Sequence, residues 1–196
     1  SVEKSTFESS TDGKVEIKNL RSVKNSSGSE IVVNRTTEIN IFDVNNNLSA
    51  AFRAPYGSTI LVKDKQDVKL SDLLLEWDPY TVPVIAEASG KLDFLDLVEG
   101  VSFVEKFDET TGISSKVIID WKSFQGKADL KPQLVITDDS GEVMSVKGSK
   151  LGASYNLSVG VILNIEKGKS VNAGDIIARI PRASSKTKDI TGGLPR

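Results

Sequence analysis

An ungapped internal repeat is the feature that most restricts how this chain can fold. Residues 57–78 align with residues 160–181 at a constant offset of 103 positions. Each copy has a glycine, an alternating apolar segment, a charged turn, a valine, and then an aspartate before a second apolar segment. Such self-similarity is typical of a structural unit that is built twice. The matched positions are Gly57 and Gly160, Ile60 and Leu163, Val62 and Ile165, Val68 and Val171, Asp72 and Asp175, and Leu73-Leu74 and Ile176-Ile177.

Two weaker matches precede this repeat, in the same order in each half. Pro79 and Pro83 lie between the halves, and proline interrupts strand pairing. We therefore expect an N-terminal flank at 1–6, a first domain at 7–78, a second domain at 79–181 and a tail at 182–196. The weaker matches pair Gly13, Val15, Ile17 and Leu20 with Gly90, Leu92, Phe94 and Leu97, and residues 39–43 with residues 134–138.

Short alternating apolar segments recur along both halves, at 15–17, 39–41, 92–94, 134–136 and 162–165. A period of two predicts strands with one buried face. Polar and glycine-containing turns separate them, at 25–28, 45–47, 138–141 and 166–168. The sequence thus predicts an all-β fold with short strands and little helix. One segment stays ambiguous, because residues 71–77, with three consecutive leucines, suit a buried strand or one helical turn equally well.

The repeated aspartates, Asp72 and Asp175, allow two interpretations. Each can satisfy backbone donors at a turn, which gives a compact β-corner. Alternatively they could act as a carboxylate pair, but equivalent positions of two domains are separated by the width of a domain. We expect the structural role.

Most catalytic chemistry is excluded by composition. The chain has no histidine and no cysteine, which removes the usual proton shuttle, the Ser-His and Cys-His nucleophiles and nearly all zinc sites. The acidic clusters at 93–96, 108–109 and 138–139 are polar, and the last two lie in glycine-closed turns. The segment 168–170 resembles the end of a phosphate-binding loop but lacks the required upstream glycine, since that position is Leu163. We expect Trp77 and Trp121 to pack in cores or at a junction.

Charge and hydropathy point to a soluble cytoplasmic protein. Lysine and arginine number 25 against 27 aspartate and glutamate, so no overall basic field draws the chain to nucleic acid. No segment has the length and hydropathy of a membrane span or a targeting signal. The start at Ser1 and the end at Arg196 suggest an excised fragment. The basic tail has a linker composition at 183–188, which we expect to be mobile or to be ordered by a partner.

The tail also carries a specific resemblance. Residues 187–196, Thr-Lys-Asp-Ile-Thr-Gly-Gly-Leu-Pro-Arg, resemble the sequence that opens the second helix of the trigger loop in bacterial RNA polymerase β′ subunits. Further segments resemble the large insertion within that loop, so the resemblance covers essentially the whole chain. These segments are 23–28, 55–57, 77–79, 83–85, 108–112 and 176–181.

The resemblance implies two sandwich-barrel hybrid motifs in tandem and a non-catalytic insertion that modulates trigger-loop folding, and so pausing, elongation and transcript cleavage. It implies partners in the rest of β′, in the β subunit and among transcription factors, with DNA and RNA reached only through the full complex and no membrane. No cofactor is expected here, since the magnesium and zinc sites of the family lie outside this segment. The implied trigger-loop base, itself not catalytic, comprises Thr191, Gly192, Gly193, Leu194, Pro195 and Arg196.

Two other functions remain open. Residues 171–178 resemble half of a lipoyl- or biotin-carrier module, although neither Lys167 nor Lys169 has the flanking residues that a carrier lysine needs. Composition alone would also permit an autonomous protein-binding or carbohydrate-binding β-sandwich.

Overall fold

The computed structural model describes residues 3–146 and 151–182. Within these residues the chain is built from antiparallel strands, and the only helix is a three-residue 3-10 turn, Trp121–Ser123. The prediction of an all-β fold is confirmed. The described chain divides into two compact units, residues 3–82 together with Arg182, and residues 83–146 together with 151–181. The division falls within the proline-bounded segment 79–83.

The first unit contains two antiparallel sheets around one core. Strands β1, β9, β7, β4 and β3 form the first sheet in that order, and β6, β5, β2 and β8 form the second. The strands are β1 Ser5–Glu8, β2 Gly13–Lys18, β3 Ser22–Lys24, β4 Glu30–Val32, β5 Glu38–Asp43, β6 Leu48–Arg53, β7 Thr59–Ile60, β8 Asp67–Val68 and β9 Leu73–Trp77.

Both sheets supply the core of the first unit. Ile39 and Ile41 of β5 are fully buried, as are Leu74 and Leu75 of β9 in the other sheet. An aromatic stack adds to this core, since the Phe52 ring lies 4.5 Å from Phe7 and 5.6 Å from Trp77 between ring centroids. Stacked aromatic pairs contribute beyond the area that they bury. Trp77 therefore packs against the core of its unit.

The second unit repeats this arrangement. Strands β10, β18, β16, β13 and β12 form one sheet, and β15, β14, β11 and β17 form the other. Its core includes Leu92, Leu134, Ile136 and Trp121. The strands are β10 Thr81–Ile85, β11 Gly90–Leu95, β12 Phe103–Asp108, β13 Ile113–Ile118, β14 Gln133–Thr137, β15 Ser154–Asn156, β16 Ile162–Leu163, β17 Ser170–Val171 and β18 Ile176–Pro181.

The sequence repeat forms the same corner in both units. The chain leaves one sheet at β7 or β16, adds a two-residue strand to the other sheet at β8 or β17, and returns at β9 or β18. Val68 pairs with Gly13, and Val171 pairs with Gly90. The offset of 103 residues therefore relates β7, β8 and β9 of the first unit to β16, β17 and β18 of the second.

Hydrogen bonds at the corner also match. The Asp72 carboxylate accepts from the Lys69 amide at 2.9 Å, and the Asp175 carboxylate accepts from the Asn172 amide at 2.8 Å. Each aspartate has the structural role expected of it, within its own unit. The residue before each aspartate has a left-handed backbone conformation, with φ +73° at Ser71 and φ +93° at Gly174.

The segment that was ambiguous in the sequence forms strand β9. Its pattern departs from simple alternation because Leu74 and Leu75 are both buried while Leu73 is exposed. Two adjacent buried residues are also compatible with one face of a helical turn. The periodicity of the sequence therefore did not distinguish a strand from a helical turn. In the folded chain this segment pairs with β1 on one side and with β7 on the other, and this pairing makes it a strand.

The second unit differs from the first by additions at its surface. Residues 119–132, which include the 3-10 turn, connect β13 to β14, whereas residues 33–37 suffice between β4 and β5. The β12–β13 hairpin is also longer than the β3–β4 hairpin. Its tip exposes Phe107 and Ile113. The additions leave the paired strands of the core unchanged.

Matched turn residues in the two units give a test of the repeat. Lys65 at φ +68° and Gly168 at φ +85° occupy the same place, and their amides donate to Val15 and Leu92 respectively. A Cβ at Gly168 would meet open space, so only backbone strain opposes a side chain there. We expect Gly168→Lys to destabilise the second unit by about 1 kcal/mol and Lys65→Gly to stabilise the first by less than that, since glycine also loosens the unfolded chain.

Hydrogen exchange of buried strand amides, measured separately in each unit, would show these changes. Lys63→Gly serves as the control, because Lys63 is exposed in the same turn without a positive φ and should gain nothing. Destabilisation by both Lys65→Gly and Gly168→Lys would contradict the equivalence.

Candidate functional site: the terminal anchor

The trigger-loop base predicted at Thr191–Arg196 lies outside the described residues, as does the linker at 183–188. The structure describes instead how the two ends of the first unit are held. Glu3, near the start, and Arg182, at the end of the described chain, both bond to the turn between β9 and β10. We call Glu3, Asp78, Tyr80 and Arg182 the terminal anchor.

Tyr80 is the centre of the terminal anchor. Its hydroxyl donates to Glu3 Oε1 at 2.6 Å, and its carbonyl accepts from the Arg182 amide at 2.9 Å. The Arg182 guanidinium adds a second bond, from Nε to the carbonyl of Asp78 at 3.1 Å. One turn thus binds both ends of the described chain.

The Asp78 side chain shapes this turn. Oδ1 accepts from the Tyr80 amide at 2.7 Å and from the Thr81 amide at 3.2 Å, while Oδ2 accepts from the Thr81 hydroxyl at 2.8 Å. An aspartate that bonds its own backbone two residues later is a common way to reverse a chain. Pro79 fits the same turn because its φ is fixed. The turn is therefore specified locally, by residues 78–81.

Sheet pairing sets the position of the N-terminal side. Ser5 of β1 pairs with Trp77 of β9, directly before Asp78. The ammonium of Lys4 also lies 3.8 Å from the Glu76 carboxylate, with both side chains partly exposed. Exposed ion pairs contribute little, so the backbone ladder and the Tyr80 hydroxyl determine where Glu3 lies.

The acidic clusters considered from the sequence serve as turns. The Asp108 carboxylate accepts from the Thr110 and Thr111 amides, and Asp138 accepts from the Ser140 hydroxyl and from backbone amides. The prediction of solvated turns is confirmed at both places. The Ser140 hydroxyl first, and then the amides of Glu142, Ser140 and Gly141, hold the pKa of Asp138 below its usual value. This stabilisation of the folded turn is present above the ordinary carboxylate pKa and is lost as the pH falls through the lowered one.

The remaining candidates also have structural surroundings. Lys167 lies 3.6 Å from Asp93, one of the acidic residues considered above, in an exposed ion pair. Trp121 packs in the core of the second unit, so neither tryptophan is a fully exposed stacking residue. Across residues 3–146 and 151–182, no cluster of three or more acidic residues could hold a metal ion.

No helix in the described part of the chain is long and apolar enough to cross a membrane.

Sequence reasoning did not find the terminal anchor. The turn itself could be read from Trp77-Asp78-Pro79, but the bonds from Tyr80 to Glu3 and Arg182 join residues that are far apart in the sequence. No local pattern signals such contacts. The one available signal was the junction between the repeats, which lies at this turn.

The fold and the terminal anchor define a class of protein, a tandem β-module whose first unit holds both ends of the described chain at one turn. No protein-family model matches the chain. Among curated proteins it is 43% identical over 195 residues to the DNA-directed RNA polymerase subunit beta′ of Ehrlichia chaffeensis, and 44% identical over 195 residues to that of Anaplasma marginale in two strains.

These alignments cover 100% of this chain but only 14% of each relative. At 43–44% identity this chain and its relatives share a fold and an ancestry over the aligned part. The chain therefore belongs, as a segment, to the β′ subunit family of DNA-directed RNA polymerase.

Removing the Asp78 carboxylate should loosen the terminal anchor. We expect Asp78→Ala to destabilise the first unit by about 1–2 kcal/mol, because three hydrogen bonds of the turn are lost together. Asp78→Asn keeps the Oδ1 acceptor and should cost less. Hydrogen exchange of the β1 amides would measure the effect.

Asp108→Ala is the matched control, since it removes the same kind of turn bond in the second unit. It should leave exchange at β1 unchanged. Equal exchange at β1 in Asp78→Ala and the parent chain would show that the turn does not hold the N-terminal strand.

Proposed function

We propose that this chain is the large insertion within the trigger loop of a polymerase β′ subunit, and that it modulates folding of that loop without itself catalysing a reaction. The supporting observation is the terminal anchor. Glu3 and Arg182, separated by most of the chain, bond to the same residue, Tyr80. An insertion needs this geometry, because its host loop must continue from nearly the point where it was interrupted.

The anchor also makes a long insertion energetically tolerable. The entropy of closing a flexible loop rises with its length, so an unstructured insertion of this size would oppose closure of its host. Hydrogen bonds at Tyr80 bring Glu3 and Arg182 to one turn, so residues 3–182 add little to the effective length of the host loop. The host loop can then fold or open with the body attached.

The tail supports the trigger-loop position through its sequence. Thr191, Gly192 and Gly193 would form a flexible entrance to the second trigger helix, and Pro195 suits a first helical turn. Leu194 and Arg196 would begin that helix. None of these residues has a catalytic role of its own in this proposal.

Modulation would act by differential contact. If the body contacts other polymerase surfaces more favourably in one state of the loop, it shifts the balance between open and folded states. A difference of about 1.4 kcal/mol changes that balance roughly tenfold. Pausing, elongation and transcript cleavage all depend on this balance and would change together.

The partners in this proposal are the rest of β′, the β subunit and transcription factors. DNA and RNA would be reached only through the assembled polymerase, in the cytoplasm. This agrees with the nearly balanced charge of the chain. Magnesium and zinc would be held elsewhere in the subunit.

Deletion of the body tests the proposal. In a complete polymerase, joining the residues on either side of 3–182 should preserve phosphodiester bond formation and alter pause duration and transcript cleavage, because the chemistry is carried elsewhere. Single-nucleotide addition and pause-escape assays would measure the two effects. Polymerase with Asp78→Ala should show part of the pausing change, since its body is present but loosely held.

Loss of bond formation on deletion would contradict a modulating role. Unchanged pausing in the deletion and in Asp78→Ala would contradict the trigger-loop position.

A second test concerns the tail. Gly192→Val in the complete polymerase should change the elongation rate directly, because a branched side chain alters the cost of folding at the helix entrance. Ser184→Val, in the preceding linker, is the control and should have a much smaller effect. Rapid-quench measurement of nucleotide addition would compare both variants with the parent polymerase. Equal rates for all three enzymes would contradict the position of Gly192 at the entrance of the second trigger helix.

A further inference from the structure

A pocket of about 280 Å³ in the first unit gathers three arginines. Arg35, Arg53 and Arg182 all line it, and they come from three distant parts of the sequence. Tyr56 and Pro55 supply apolar wall between them. Three positive side chains that line one pocket repel one another, so an anion in the pocket would be stabilised.

The carboxylates of the described chain provide little compensation. Glu38 lies 4.0 Å from Arg53, at the limit of an ion pair, and both side chains are partly exposed. Arg35 lies instead over the Tyr56 ring, 5.1 Å from its centroid. Among the described residues no carboxylate approaches Arg35 or Arg182 within 4.0 Å. The pocket therefore carries an excess of about two positive charges, as three guanidinium groups face one distant carboxylate.

Arg182 contributes to this pocket a guanidinium group that is held in place. Its Nε bonds to the Asp78 carbonyl, which fixes the plane of the guanidinium. Its Nη2 is buried and has no acceptor among the described residues. A buried charged donor without an acceptor is unfavourable, and this uncompensated positive charge belongs to a residue that lines the pocket.

We propose that this pocket binds a phosphate group that carries two negative charges. Guanidinium forks match phosphate oxygens, and several of them around one anion are typical of phosphate recognition. The excess of about two positive charges suits a dianion better than a single carboxylate. A pocket of about 280 Å³ admits a phosphate group together with part of the molecule that bears it.

Binding would couple to the terminal anchor because Arg182 belongs to both. Its Nε and backbone amide hold the turn at Tyr80, while its positive charge would attract the phosphate. A bound phosphate should therefore slow hydrogen exchange at the turn. The proposal does not depend on the trigger-loop function, and each can fail without the other.

Titration of the whole chain with inorganic phosphate at low ionic strength, followed by calorimetry, tests the site. Arg53→Gln and Arg35→Gln should each weaken binding about tenfold or more, the loss expected for one charge-assisted hydrogen bond. Both side chains are exposed, so folding should persist. Lys24→Gln, on an exposed strand position of the same unit, changes the charge equally and should weaken binding less than about twofold.

Acetate and a glutamate-rich peptide are the competing probes. Weak binding of both, with slower exchange at the turn in phosphate alone, would support a phosphate site. Tighter binding of the peptide than of phosphate would overturn the proposal in favour of an acidic protein partner. Absence of phosphate binding, or equal losses in Arg53→Gln and Lys24→Gln, would also overturn it.

Discussion

The carboxylates of Asp72 and Asp175 accept a backbone amide at the same corner of the two units. The rest of each unit depends on that corner, because there the chain leaves one sheet, adds two residues to the other and returns. The strand that receives the two residues, β2 or β11, is also restricted by its neighbour on the other side, β5 or β14. A Cβ at Gly13 would collide with the Phe42 carbonyl, and one at Gly90 with the Thr137 carbonyl. Glycine is required at both positions because neighbouring strands approach there closely.

With the corner fixed, one compact core is shared by two sheets in each unit, and the surface is free to vary. The second unit uses this freedom more than the first. Its longer hairpin exposes Phe107 and Ile113, and its added segment 119–132 borders a cleft of about 780 Å³ next to Trp121. Neither addition alters strand pairing. A module that must meet particular surfaces of a large complex can change its contacts in this way without a new fold.

The features that the sequence predicted are those that local patterns encode. The corner was visible because glycine, valine and aspartate recur without a gap, and the strands were visible because apolar residues alternate. The sequence did not predict whether residues 73–77 form a strand, because the burial of two adjacent leucines depends on both neighbouring strands. The terminal anchor and the arginine pocket were missed for a related reason. Tyr80 meets Glu3, and Arg35 shares a pocket with Arg182, only after the sheets have formed. The trigger-loop base rests on motif resemblance alone.

Energetics limit what such a module can do in the proposed function. The body is held by many fully buried side chains, whereas the terminal anchor consists of bonds from Tyr80 to Glu3 and from Arg182 to Tyr80 and Asp78. Each such bond contributes about 0.5–1.5 kcal/mol. The anchor therefore opens before the body unfolds, and it can transmit no more than a few kcal/mol to the host loop. Three such bonds total about 1.5–4.5 kcal/mol, which corresponds to changes of about tenfold to about two thousandfold in the loop equilibrium. Such a range suits an element that adjusts the balance between states, and it is too small for one that switches catalysis on or off.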